Sequence, residues 1–204
     1  MFRIRRTPAA LLGAALAMSW LTCLASPAQA AAPAQGAVAW PAPQTDISPA
    51  ARAGLAEAIR HARLHDAAAE QRHICYAAQV QNIGWQAPVC DGAVAGTVGR
   101  SLRLETLAIL VSGVGGGCAQ ASVQSIGWQA QKCVGDGEFA IVGTIGRSLA
   151  MEALAISVGT GFVCGNAQVE NIGWQGQQCG RNGETATLGT TGRNLRMEAV
   201  TLVV

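Results

Sequence analysis

Three sets of residues recur along this 204-residue chain at fixed spacing and carry groups able to bind or react. The first surrounds a tryptophan. Val80 to Gln86 reads Val-Gln-Asn-Ile-Gly-Trp-Gln, and it returns at Val123 to Gln129 and at Val169 to Gln175. An indole can stack on a sugar ring, so Trp85, Trp128 and Trp174 could form a trivalent platform. Asn82, Ser125 and Asn171 precede them, and Gln86, Gln129 and Gln175 follow. These side chains both donate and accept hydrogen bonds, as recognition of a neutral glycan requires. A purely structural role competes in each case. Ile-Gly-Trp places Ile and Trp on one face, and the other aromatics are few, which favours the indoles as core wedges. Asn also habitually satisfies turn backbone, so for Asn and Gln both readings stand.

The second set is charged. Arg100, Arg147 and Arg193 recur with Glu105, Glu152 and Glu198. A glutamate within an apolar strand is costly unless paired, so structural ion pairs Arg100–Glu105, Arg147–Glu152 and Arg193–Glu198 are expected. Catalysis is harder to assemble. The repeats hold no histidine beyond His73 at their edge, and no nucleophile elbow or phosphate loop. Asp136 and Glu138 in repeat two are the nearest approach to the acid pair of a glycoside hydrolase. His61 and His65 lie four apart, but Ala62 stands where a zinc protease needs its glutamate. No metal, no cofactor and no enzyme activity is expected. Triplicated residues favour binding.

The third set is six cysteines, each pair separated by 15 positions: Cys75 and Cys90, Cys118 and Cys133, Cys164 and Cys179. Identical spacing in three repeats selects these pairings among the fifteen that six cysteines allow. Each bridge closes a loop worth about 3 kcal/mol. Disulfides belong in an oxidising compartment, and the N-terminus agrees. Arg3, Arg5 and Arg6 precede an apolar run from Leu11 to Leu24 and an Ala28-Gln29-Ala30 cleavage site, the pattern of a secretory signal peptide. Its removal leaves 11 basic residues against 12 acidic ones, with Lys132 the only lysine. That balance gives no footprint for nucleic acid, and no hydrophobic stretch is long enough for a transmembrane segment. The chain is expected to be secreted, extracellular or periplasmic.

These residues must be positioned by repeated strands. After the signal peptide (1–30) comes an Ala/Pro-rich linker (31–47) and a helical segment (48–72), where Ser48 can cap, Pro49 suits the first turn, and Leu55, Ile59 and Leu64 form a thin apolar stripe. The three-repeat domain occupies 73–204, divided as 73–115, 116–161 and 162–204. Each repeat has an Asp-Gly or Asn-Gly turn (Asp91-Gly92, Asp136-Gly137, Asn182-Gly183) and a Gly-Thr-x-Gly-Arg segment. Each closes on an alternating strand whose phase slips once. Leu102 and Leu104 alternate, then Leu107, Ile109 and Val111 in the opposite phase. The same slip at Glu105-Thr106, Glu152-Ala153 and Glu198-Ala199 predicts a β-bulge in every repeat. A unit of three or four short strands cannot fold alone, but three around a pseudo-threefold axis can share one core. The fold class is therefore all-β, a β-prism ahead of a β-trefoil.

Val-Gln-Asn-Ile-Gly-Trp-Gln followed by Gly-Thr-x-Gly-Arg-Ser-Leu-Arg-Leu-Glu resembles the clostridial hydrophobic repeat named for its tryptophan, the ChW repeat, and the likeness spans Cys75 to Val204. The resemblance implies a secreted or surface-displayed, non-catalytic module that binds polysaccharide, cell wall or protein. Two departures stand out. Ala78, Ala121 and Ala167, or the neighbouring Gln79, Ser122 and Gln168, lie where the family pattern often has histidine, and Ala150 replaces the arginine present as Arg103 and Arg196. If that arginine binds ligand, repeat two is the weakest site. The function expected is recognition of glycan or cell-envelope polysaccharide through up to three equivalent sites. A structural or adhesion protein with a protein partner is the alternative, and a glycoside hydrolase the third.

Overall fold

A computed structural model describes residues 47–65 and 72–204. The expected signal peptide, nearly all of the linker and residues 66–71 of the helical segment lie outside them. Among the described residues one helix, α1 (Pro49–His65), precedes fifteen strands. Repeat one contributes β1 (His73–Val80), β2 (Gly84–Trp85), β3 (Val89–Cys90), β4 (Ala95–Gly96) and β5 (Leu104–Ser112). Repeat two contributes β6 (Gly117–Val123), β7 (Gly127–Trp128), β8 (Lys132–Val134), β9 (Phe139–Gly143) and β10 (Met151–Val158). Repeat three contributes β11 (Phe162–Val169), β12 (Gly173–Trp174), β13 (Gln178–Arg181), β14 (Ala186–Gly189) and β15 (Met197–Val203). The alternating runs and paired cysteines do produce strands, but each repeat makes five rather than three or four.

The fifth strand explains why no repeat stands alone. Each of the three sheets is built from four strands of one repeat and one lent by a neighbour. Strand β9 of repeat two pairs with β5 of repeat one, and β14 of repeat three pairs with β10 of repeat two. Strand β4 of repeat one closes the ring on β15, with Gly96 opposite Ala199 and Ala95 opposite Val200. Three similar sheets thus surround one core in a prism-like arrangement whose ladders interlock in a cycle.

The bulge is the socket for the lent strand. Val80 pairs with Leu104 and Gln79 with Thr106, so Glu105 is the extra residue. The ladder skips Glu152 and Glu198 in the same way. The carbonyl of Glu105 accepts the Thr144 N–H at 2.8 Å, and those of Glu152 and Glu198 accept from Thr190 and Thr97. Gly143 meets the same carbonyl so closely that a Cβ there would lie 2.3 Å from it, with φ at +97°. Only glycine fits both constraints. The Gly-Thr pair of the repeated motif is an inter-repeat joint.

Inward-facing Ile74, Tyr76, Val80, Leu107, Leu154, Leu188 and Leu202 share a single core across the repeats. Tyr76 has no counterpart; Ala119 and Gly165 occupy its position. Its hydroxyl donates to the Ala93 carbonyl and accepts the Leu202 N–H at 2.9 Å, tying repeat one to repeat three. Burial pushes its ionisation up to about 12.

Helix α1 begins as expected, with Ser48 Oγ accepting the Ala51 N–H at 3.2 Å. It packs by Ile47, Ala51, Leu55 and Ile59 on the outer face of the first sheet, against Ala77, Ala108 and Leu110. Leu64, expected in that stripe, is 76% exposed, because the buried face runs i, i+4, i+8 and Leu64 falls off it. Among the described residues no helix is long and apolar enough to cross a membrane.

Candidate functional site: the outer faces

The indoles lie outside the core. Trp85 pairs across from Gln79, Trp128 from Ser122 and Trp174 from Gln168. Those partners alternate with the inward residues Ala78, Ala121 and Ala167, so each Trp stands on an outer face. Trp128 is 43% exposed and Trp174 39%. This corrects the core-wedge reading. Its premise was a buried isoleucine, and Ile83, Ile126 and Ile172 are exposed too. Glycines with φ near +80° between Ile and Trp uncouple the two from strand alternation. The core is filled by the long strands instead.

The three faces are not alike. Trp85 lies half-buried under α1, its indole N–H enclosed without a hydrogen-bond partner. Repeat one presents Ala77, Ala108 and Leu110 on this face, joined by Phe139 and Ile141 from the lent strand. The equivalent positions of repeat two are Gln120, Ala155 and Ser157, with Thr187 on its lent strand. Repeat three has Asn166, Thr201 and Val203. Among the described residues the apolar face receives a helix and the two more polar faces do not. On repeat two an open groove of about 540 Å³ runs by Gly117, Cys118, Gln131, Cys133, Ser157 and Thr185. Along β6, Cys118 at the groove and Ser122 opposite Trp128 are about 13 Å apart.

The polar residues beside each Trp divide. Asn82, Ser125 and Asn171 sit at φ near +60° and are exposed. Their backbone conformation accounts for Asn in two of them, while their side chains face solvent. The glutamines are engaged internally. Gln86 Oε1 accepts the Gly96 N–H at 2.7 Å and its amide donates to the Gly96 carbonyl at 3.1 Å. Gln129 holds Gly143 in the same two-point way, and Gln175 accepts from Gly189 at 2.9 Å. Each glutamine anchors the glycine at which its repeat reaches its neighbour. Pairing of the sequence alone gives no hint of that partner, which lies 10 or 14 residues downstream.

The expected ion pairs take other arginines. Glu105 binds Arg103, with Nη2 to Oε1 at 2.7 Å, and Glu198 binds Arg196 at 3.1 Å. Arg100, Arg147 and Arg193 stand exposed on the turn tips with no ion pair among the described residues. The bulge explains the change: the glutamate turns back toward the residue two before it. Ala150 leaves Glu152 without such a partner, and burial raises its pKa.

The turn acids are structural. Asp91 Oδ1 accepts the Ile74 N–H at 2.9 Å and Asp136 accepts from Gly115 and Gly116, while Asn182 accepts from Gly161 at 2.8 Å. Glu138 accepts the Gly135 N–H. Asp136 and Glu138 thus both serve backbone N–H groups of a turn. All three cysteine pairs are bridged as expected. Among the described residues no cluster of three or more potential metal ligands exists.

No curated protein and no solved structure gives a significant match. The model of the clostridial hydrophobic W repeat matches three times, at residues 79–113, 123–159 and 168–204, together more than half of the chain. Each match runs from the end of the first long strand, through the Trp strand, to the end of the bulged strand. The chain belongs to the clostridial hydrophobic W (ChW) repeat family.

Proposed function

We propose that this protein is a secreted, non-catalytic binding module that holds a neutral glycan or cell-envelope polysaccharide on the outer faces of repeats two and three. The observation that carries this reading is the pair of equivalent, part-exposed indoles, Trp128 and Trp174, on faces furnished with Gln120, Ser157, Thr187, Asn166 and Thr201. Aromatic surface next to neutral hydrogen-bonding groups suits a sugar ring, whose faces are apolar and whose rim is hydroxyl. Three disulfides support export. The internal engagement of Asp136 and Glu138 speaks against the hydrolase. The exposed Asn82, Ser125 and Asn171 turns remain contact candidates, whereas the glutamines serve the fold. Of three possible sites the helix leaves two.

Retention on immobilised polysaccharides tests the reading. Trp128→Ala and Trp174→Ala are each expected to weaken retention, and the double variant to abolish it through lost avidity, with unfolding hardly changed. Trp85→Ala should leave retention intact. Equal retention by the double variant, or capture of a protein with no polysaccharide held, overturns it in favour of an adhesion role.

A further inference from the structure

Equivalent residues from all three repeats converge at one end of the prism on a polar pocket of about 400 Å³. Gln81, Gln124 and Glu170 hold the same place in their repeats, each donating its N–H to the carbonyl of residue 103, 150 or 196. The pocket therefore lies on the pseudo-threefold axis, and it is independent of the outer faces proposed above.

Two repeats show what belongs beside the bulge glutamate there. In repeat one, the guanidinium of Arg103 meets Glu105 through Nε at 3.0 Å and Nη2 at 2.7 Å. In repeat three, Arg196 meets Glu198 through Nε and Nη2, both at 3.1 Å, and reaches Glu170 through Nη1 at 2.6 Å. Repeat two keeps the acid and lacks the base. Ala150 stands in the arginine's place, and Glu152 is 8% exposed, its carboxylate with no hydrogen bond or ion pair among the described residues. Ala150 and Glu152 both line the open volume. Both arginines that line the pocket are already engaged, Arg103 by Glu105 and Arg196 by Glu170 and Glu198, so neither is committed to Glu152. A buried, unpaired carboxylate is costly, and the structure leaves space where its siblings place a fork of N–H donors.

We propose that this axial pocket binds an alkylguanidinium, which fills the place of the missing arginine and pairs with Glu152. The ligand is either a small guanidinium compound or the arginine side chain of a partner protein. Recognition is by the two-point fork that Arg103 and Arg196 already display, so a guanidinium is preferred over a spherical cation.

The test titrates agmatine, and in a second arm a Gly-Arg-Gly peptide blocked at both ends, into the full chain while amide chemical shifts are followed. Saturable shifts centred on Gln124, Ala150 and Glu152 are expected with at least one probe, and none with sodium chloride at equal ionic strength. Binding by agmatine alone assigns a small-molecule source, and tighter binding by the peptide a partner's arginine. Ala150→Arg supplies the group internally and should weaken binding about tenfold or more. Glu152→Gln, which leaves the volume unchanged, should do the same. Shifts reproduced by salt, no saturable shift with either probe, or undiminished binding in Glu152→Gln overturns the proposal. Polysaccharide retention is unaffected in every case, so the two readings fail separately.

Discussion

The first repeat and its two siblings share one backbone but present opposite exteriors. On repeat one, Ala77, Ala108, Leu110, Phe139 and Ile141 form an apolar sheet face that α1 covers, with Cys75 buried and Trp85 half-buried beside it. On repeats two and three, Gln or Asn replaces Ala77, Thr187 stands opposite Ala155 where Ile141 stands opposite Ala108, and the Trp rings remain open. What is common to the repeats builds the prism. Apart from Tyr76 in the core, what differs lies on the outside and at the axis, where each substitution changes what the surface can meet.

The strongest way to break the contrast is to release the helix. Leu55 is fully buried between α1 and the sheet, and Leu55→Ala should cost about 2–5 kcal/mol. Because the three-sheet core does not include Leu55, the loss should appear as local opening rather than global unfolding. Hydrogen exchange in α1 should accelerate, and acrylamide should quench Trp85 as it quenches Trp128. The Cys75–Cys90 bridge should then reduce as readily as Cys118–Cys133, whose Cys133 is exposed already. Unchanged Trp85 quenching would show that α1 is not the cover.

A smaller effect probes what the repeats have in common. Gln129→Ala leaves the Gly143 N–H and carbonyl unpaired at the joint between repeats one and two. Chemical denaturation should record a loss of about 1–3 kcal/mol, global this time. Gln86→Ala should cost the same at the joint of repeats one and three, helix or no helix. If either glutamine were instead a ligand contact, its removal would leave stability unchanged.

These joints mark where sequence reading succeeds and where it stops. The phase slip at Glu105, Glu152 and Glu198 was legible because period-two alternation records which side a strand shows, and an inserted residue must invert it. The disulfides were legible from equal spacing. That the bulge carbonyl receives the next repeat's Gly-Thr was not legible, because a strand lent between repeats leaves the same local pattern as one kept. The tryptophans misled for a related reason. Ile126 and Trp128 read as one buried face only if the chain between them is a regular strand, and Gly127 at φ +79° ends that regularity. The Arg–Glu pairing was half legible: the glutamate's need for a partner is local chemistry, but which arginine supplies it depends on how the bulge turns the side chain. Ala150 could be seen as a departure in the sequence. Its consequence, a pocket with an unpaired acid, needed three repeats brought to one axis.

The smallest expected effect tests that consequence from the stability side. Burial holds the Glu152 carboxyl above its ordinary value, so between the unfolded and folded pKa the native state binds the extra proton. Stability then falls as pH rises through that window, and the cost persists at neutral pH. Glu105 and Glu198 each sit beside an arginine instead. Glu152→Gln should therefore raise Tm at neutral pH by on the order of one or two degrees. Below the ordinary carboxylate range the gain should vanish, because both proteins then hold a neutral group at this site. Arginine at position 150 should reproduce the neutral-pH gain with the acid left in place, since it restores the pairing that repeats one and three already have. A variant pair that gains equally at every pH would mean that packing, rather than the unpaired charge, sets repeat two apart.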